Sequence, residues 1–395
     1  MSSGGDGRSM ADRILRFGVI GLSRGFVLSR PMFLKDPRVR LVAAADPRTE
    51  ARAAFEAEFG GRAYPDAEAL CADPEVEVVY IASPHELHAA QAEAAARAGK
   101  HLLVEKPMAL TLEACRAMRT AAEAAGVALL AGPSHGYDAP VVRAAALIGS
   151  GRYGRLRMIS MITYTDFLYR PRRPEELETA KGGSVVFSQA AHQVDVVRRL
   201  ASAPVTSVRA QAGAWDPRRP SEGAYQAFLT FANGATASLT YSGYGRYDTD
   251  ALMGWTGELG QARDPADYAG ARRRLEGADE AELKRLRAYG SGPLPEPATP
   301  AGHEHFGFVL ASCERADLRL TPSAIEVYGE TRETVELPPP AVPRQGVVDE
   351  VWGAVVEGRP PVHDGAWGGA NLAVCLALLR SSQEGREVPV TEETP

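Results

Sequence analysis

The chain has 395 residues, enough for two domains with cores of their own. It is 45% hydrophobic and 24% charged, an ordinary globular composition, and its net charge of −6 with no basic stripe argues against general nucleic-acid binding. Cys71, Cys115, Cys313 and Cys375 are scattered and form no C-x-x-C pair, so they build neither a disulfide framework nor a zinc site, and a reducing cytoplasm fits best. No apolar run approaches the roughly 18 residues that would span a bilayer. The Gly/Ser-rich start, residues 1–12, has no signal-peptide core and reads as a disordered tail.

From there strands and helices alternate. Ile14 to Ile20 is a short apolar strand, followed by the turn Gly21-Leu22-Ser23-Arg24-Gly25. A second strand, Val39 to Ala45, ends at Asp46, and Thr49 to Phe59 is a helix with Ala51, Ala54, Phe55 and Phe59 on one face. Val76 to Ala82 is a buried-type strand stopped by Ser83-Pro84, Glu86 to Ala98 an Ala-rich helix, and His101 to Val104 a strand. Thr111 to Ala125 is a helix closed by Gly126, before a strand at Val127 to Leu130. This rhythm predicts a parallel sheet with helices on both faces, over residues 13–138.

The first turn is where a dinucleotide would sit, because a phosphate needs a tight turn, free backbone N–H groups and a helix N-terminus. The pattern G-x-G-x-x-G is degenerate here: Gly21 stands first, Ser23 second and Phe26 third, with Arg24 and Gly25 between. Asp46, at the end of the next strand, is near the usual spacing for a carboxylate that takes the adenosine ribose hydroxyls. It favours NAD over NADP, Arg48 argues the other way, and a plain turn or cap Asp before Pro47 is the alternative. Glu105-Lys106-Pro107 follows a strand at the end where open α/β sheets hold ligands. A surface ion pair followed by a turn proline is its bland alternative.

The second half, residues 139–395, reads differently. Leu156 to Tyr164, Val205 to Ala212, Tyr225 to Phe231 and Ala235 to Tyr241 are strand-like, and Asn233-Gly234 is a hairpin turn signal. Leu318 to Leu320, Ala324 to Tyr328 and Thr334 to Leu337 continue the series, and Ala366 to Ser381 is an apolar helix. Between them, residues 251–300 form a charged, Pro/Gly-punctuated stretch that reads as an insertion. His303-Glu304-His305 offers too few ligands for a metal site, so none is expected. Trp352 and Trp367 are taken as core or interface residues.

Taken in order, Gly21, Asp46, Ser83-Pro84-His85, His88 and Glu105-Lys106-Pro107, then Gly182-Gly183 with His192 and Asp195, resemble the Gfo/Idh/MocA oxidoreductase family over nearly the whole chain. The resemblance implies an α/β Rossmann domain followed by an α+β domain with a large, open, mostly antiparallel sheet. It implies a nicotinamide cofactor, a small-molecule substrate, no nucleic-acid or membrane partner, and a homodimer or homotetramer. It also implies that Ser83, Pro84, His85, His88 and Glu105 border the cofactor and that Lys106 and His192 are the catalytic pair. For His85 and His88 a helix cap or surface role is the alternative. For His192 the alternative is a buried, hydrogen-bonded helix histidine.

The chemistry is reversible hydride transfer between a secondary alcohol carbon and nicotinamide. His192 is suited to take the hydroxyl proton, and Lys106 to stabilise the developing alkoxide. Asp195, three residues on along the helix, shares a face with His192 and is expected to orient it or bind substrate. Ser188 stands where the family often has Asp and cannot supply that carboxylate; Gln189 follows it among the residues expected at the substrate.

The loop from Tyr164 to Pro174 carries Tyr169, Arg170, Arg172 and Arg173. Arginine forks pair with carboxylates, so this loop is expected to clamp an acidic ring; pairing to Glu175, Glu176 and Glu178 is the alternative. With 183–195 and 36–48 it is similar to the phthalate 4,5-cis-dihydrodiol dehydrogenase branch, which oxidises a dihydroxy-cyclohexadiene dicarboxylate to a catechol. A sugar, inositol or glycoside dehydrogenase of the same family, or a non-catalytic NAD(P)-binding sensor, are the competing readings.

Overall fold

The computed structural model describes residues 13–292, 294 and 299–391; the expected tail at 1–12, and part of the 251–300 stretch, lie outside these. The first half builds β1 (Leu15–Ile20), α1 (Arg24–Lys35), β2 (Val39–Ala45), α2 (Thr49–Phe59), β3 (Arg62–Tyr64), α3 (Ala67–Cys71), β4 (Val78–Ile81), α4 (His88–Arg97), β5 (His101–Val104), α5 (Leu112–Ala125) and β6 (Leu129–Ala131). The six strands form one parallel sheet in the order β3-β2-β1-β4-β5-β6. Strands buried on both faces read as unbroken apolar runs, as in β4, where all four residues are buried. The order reverses between β1 and β4, and the crevice beyond their C-terminal ends is where such a sheet holds a ligand.

β3 and α3 have no counterpart in the sequence reading. β3 has three residues and α3 five, too few for either periodicity to show. The helix expected from Glu86 starts at His88, after a 3-10 turn at His85–Leu87 set off by Pro84.

The second half comprises α6 (Ala139–Gly149), β7 (Leu156–Tyr164), α7 (Ala191–Ala201), β8 (Val205–Gly213), β9 (Ala224–Phe231), β10 (Thr236–Ser242), α8 (Gly270–Leu275), α9 (Glu280–Arg285), β11 (Phe308–Cys313), β12 (Asp317–Leu320), β13 (Ala324–Tyr328), β14 (Arg332–Glu336), α10 (Gln345–Val355), α11 (Gly365–Glu384) and β15 (Val388–Pro389). Its nine strands form one sheet, β14-β13-β12-β11-β7-β10-β9-β8-β15, antiparallel throughout except for the β7–β10 pair. Asn233-Gly234 makes the β9–β10 turn, with Gly234 at φ +83, a conformation glycine adopts without strain.

The two halves share their cores. Val347, Val348, Val351 and Trp352 of α10 join the apolar cluster around β1 and α1, and Leu372 and Ala373 of α11 join the one around β5 and α5. α11 runs further than expected, from a cap at Asp364, whose carboxylate accepts Trp367 N–H at 2.7 Å, to Gly385 in the left-handed region. No helix among the described residues is long and apolar enough to cross a membrane.

Candidate active site

The turn after β1 is shaped for a phosphate. Gly21 has φ +91, and a Cβ there would lie 2.7 Å from the Ser83 backbone, so only glycine lets β1 and β4 approach this closely. α1 opens at Arg24 with no acidic residue in its first turn, and the Ser23 hydroxyl is turned away to the Ala82 carbonyl at 2.9 Å. The first amides of α1 therefore have no side-chain cap, the arrangement that receives a pyrophosphate. Glu105 lies against this turn: a Cβ on Gly25 would be 3.4 Å from its Oε1, which accepts from the Tyr80 hydroxyl at 2.6 Å.

Three expected cofactor contacts are corrected. The Phe26 ring is fully buried, packed edge-on against Tyr289 at 5.0 Å, and serves the core. His88 is also fully buried; its ring nitrogens face the Ser83 and Pro107 carbonyls at 3.0 and 3.2 Å, so it ties together the two loops that border the crevice. Asp46 is not a free acceptor. Its Oδ2 takes Leu22 N–H at 2.8 Å, and Arg48 donates to both carboxylate oxygens while also reaching the Leu22 and Tyr289 carbonyls. Of the rest, Ser83, Pro84 and His85 are half-buried along the crevice, and burial, then His88 and Lys106, holds the His85 imidazole down at about 3.

Lys106, at the end of β5, reaches across to the second half and donates to the Ser188 carbonyl at 3.0 Å. Burial lowers the pKa of its ammonium, opposed by the charges of Glu105 and Glu258. Ser188 belongs to a π-helical turn, Val186–Ala190, that leads into α7 and widens it just before His192. Such turns recur at functional sites because they re-aim side chains. The Gln189 amide donates to the same Ser188 carbonyl, and its oxygen accepts from Tyr241.

His192 is buried, and its pKa is pushed well below the ordinary value by burial, then by the charges of Lys106 and His135. Its imidazole is therefore neutral at pH 7. Its Nδ1 lies 3.0 Å from the Ser134 hydroxyl.

Asp195 does not orient His192 directly. It is wholly buried and accepts from Gly136 N–H at 2.7 Å, Trp367 Nε1 at 2.6 Å and Asn371 at 3.2 Å, with His363 Nε2 at 3.5 Å. The physical reason is competition: three neutral donors and an imidazole from other segments surround the carboxylate. The Ser134 hydroxyl also bonds to it, so Ser134 connects Asp195 with His192.

Ser134 and His135 were not singled out from sequence, although they follow β6 at the same sheet end as Lys106 follows β5. That position is the signal that could have found them. His135 Nδ1 sits 2.6 Å from Asp138, its Nε2 3.6 Å from Glu258, and its ring 4.7 Å from that of His192. Burial opposes its charge, but Asp138 and then Glu258 outweigh it and raise its pKa to about 9. Glu258 comes from the 251–300 stretch, where no pattern marked it. Burial opposes its ionisation, yet His135, Arg170 and Lys106 hold it well below the usual carboxylate range.

The arginine loop divides. Arg170 faces Glu258 at 3.7 Å and Asp166 at 3.8 Å. Arg172 stacks on Phe167 at 3.7 Å, and burial lowers its pKa to about 10. Arg173 pairs with Glu176. Tyr164 is half-buried at the end of β7. Tyr169 is corrected: it is buried, its hydroxyl bonds Asp216 at 3.0 Å and Arg272 covers its ring, so it supports the loop from behind. His303 and His305 each give Nε2 to a backbone carbonyl at 2.8 Å.

A parallel sheet in the order above, a glycine turn at an uncapped helix and a lysine at a strand end that reaches the turn carrying a buried histidine together define a dinucleotide-binding oxidoreductase. The chain belongs to the Gfo/Idh/MocA family: residues 15–132 match its oxidoreductase, NAD-binding Rossmann fold domain and residues 141–263 its C-terminal domain. It is 47% identical over 379 residues to a 1-carboxy-3-chloro-3,4-dihydroxycyclohexa-1,5-diene dehydrogenase of Comamonas testosteroni, covering 93% of this chain and 95% of that one. A levoglucosan dehydrogenase of Pseudarthrobacter phenanthrenivorans is 29% identical, over 68% of this chain and 77% of the relative. The crystal structure of a protein from Bordetella bronchiseptica RB50, assigned as a dehydrogenase, superposes with a TM-score of 0.90 at 39% identity, covering 95% of this chain and all of the other.

Proposed function

We propose that the protein is an NAD-dependent dehydrogenase that oxidises a secondary alcohol of a carboxylated cis-dihydrodiol ring to give a catechol. The observation that carries the reading is the Lys106 ammonium at the end of β5, bonded to the turn that carries the buried, neutral His192 imidazole, beside the arginine loop. When bound, NAD supplies the hydride acceptor, and the Gly21 turn with the first amides of α1 fits its pyrophosphate.

The protein's share is to move a proton and hold an oxygen. With Nδ1–H of His192 donated to Ser134, Nε2 is left to accept the hydroxyl proton. Lys106 lies on the same oxygen and stabilises the alkoxide as the hydride departs. The carbinol carbon becomes a carbonyl, and the ring hydroxy-ketone tautomerises to the aromatic catechol. Arg170 and Arg172 suit a ring carboxylate. The chlorinated, carboxylated diene diol in the name of the Comamonas relative supports that substrate class.

In this reading residues 13–138 hold the cofactor and 139–395 the substrate, with 251–300 as an insertion. Half-exposed Met158 and Phe228 on the open face of the second sheet support a homodimer or homotetramer through that face. The four free cysteines suit a reducing cytoplasm. The test is NADH formation at 340 nm with phthalate 4,5-cis-dihydrodiol and its chloro-carboxy analogue beside levoglucosan and myo-inositol. Turnover of a sugar but of neither ring diol would overturn the substrate assignment.

A further inference from the structure

Residues 280–290 bridge the crevice and are anchored on both sides. On one side, Glu280 accepts Arg172 N–H at 2.7 Å and pairs with Arg219, and Lys284 pairs with Glu176 at 2.7 Å. On the other, the Tyr289 hydroxyl bonds Glu58 at 2.6 Å. Gly290 presses so close to α2 that a Cβ would lie 2.7 Å from the Ala51 Cα. Arg287 lies between these anchors, half-buried, and its side chain makes no hydrogen bond or ion pair among the described residues. It lies close enough to Arg24, Arg170 and Arg172 for the guanidinium charges to repel one another. The nearby acids are already engaged, Glu176 with Lys284 and Glu258 with Arg170 and His135. Arg170 has Glu258 and Asp166 beside it, whereas Arg24, Arg172 and Arg287 have no ion pair among the described residues, and guanidinium charges gathered in a sheltered cleft in this way are stabilised by an anion from outside.

We propose that Arg287 completes, with Arg170 and Arg172, a subsite for a carboxylate on the substrate ring, so that the 251–300 insertion supplies part of the specificity. The identity of the ring rests on the function proposed above; the subsite rests on the bridge and its unpaired guanidinium. The anion could equally be a cofactor phosphate, and the experiment separates the two sources. Phthalate is titrated calorimetrically into the full-length protein saturated with NAD, and NAD is titrated separately, for the wild type, Arg287→Gln and Arg287→Lys.

Arg287→Gln is expected to weaken phthalate binding by about tenfold or more, with Arg287→Lys between it and the wild type and NAD affinity within about twofold. Unchanged phthalate affinity in Arg287→Gln, or a wild type that binds no phthalate, would overturn the subsite. An equal loss for NAD would overturn it too and assign the guanidinium to the cofactor phosphates. A wild type that binds phthalate through Arg287 yet oxidises no ring diol would instead defeat the substrate reading and leave the subsite standing.

Discussion

The Lys106 ammonium and the Ser188 carbonyl, 3.0 Å apart, join the end of a dinucleotide-sheet strand to the turn that carries His192. The contact uses the backbone oxygen of Ser188, whose hydroxyl is turned to the Ser184 carbonyl. A carbonyl holds the ammonium without neutralising it, so Lys106 keeps its charge for a substrate oxygen. Lys106→Ala should lower kcat by about 100-fold or more while the Kd for NAD stays within a few-fold. Steady-state kinetics with cofactor titration by fluorescence checks this, and an active Lys106→Ala protein would remove the lysine from the mechanism.

His192 must be neutral to accept a proton, and burial with its cationic neighbours keeps it so below the ordinary histidine range. The acidic limb of kcat/KM for alcohol oxidation should therefore fall below pH 6.5. His135→Gln removes one of the repelling charges and should move that limb upward. A limb that stays in place would separate His135 from the site.

The His135 pair also bears on stability. Its folded pKa, about 9, lies above the unfolded value, so the stabilisation is complete below about pH 6.5 and is lost as pH rises through about 9. Urea melts should show that loss, on the order of 3 kcal/mol, between those limits, and a flatter profile for His135→Gln.

Asp195 is a packing keystone. Asp195→Ala would strand the Gly136, Trp367 and Asn371 donors in the interior and should cost about 3–5 kcal/mol of stability. Ser134→Ala should melt near the wild type but lose about tenfold in kcat, with KM little changed, because it frees the His192 ring. Equal melting of Asp195→Ala and wild type would contradict the first assignment.

Asp46 anchors the cofactor turn through Leu22 N–H and holds the Arg48 guanidinium on its carboxylate, so that removing it frees Arg48 for a 2′-phosphate. Asp46→Ala should weaken NAD more than NADP and shift the ratio of their Kd values by about tenfold toward NADP. An unchanged ratio would leave the choice of cofactor to other groups.

Much of this was legible in the sequence where local pattern decides. The apolar runs, the Asp46 strand end and the Glu105-Lys106-Pro107 triplet fall where the sheet needs them, because a parallel strand and its C-terminal turn are written in contiguous residues. The failures share a cause. Helical spacing put Asp195 beside His192, but the donors that engage its carboxylate are Trp367 and Asn371, far along the chain. Phe26, His88 and Tyr169 sit in the right segments, yet packing turned their side chains inward. Glu258 and Arg287 come to the crevice only because residues 251–292 fold back over it, and no short-range pattern encodes that.

The bond between Asp195 and Trp367 joins residues 172 positions apart. On a ribosome, the strand ends that hold the cofactor are complete long before Trp367 and Asn371 emerge. The nascent chain therefore carries Asp195 with its partners still unmade, and long-range contacts of this kind form late. Production of the enzyme then depends on protection of a half-built interior during synthesis, and slowing translation across residues 200–360 should raise the share of chain lost to aggregation.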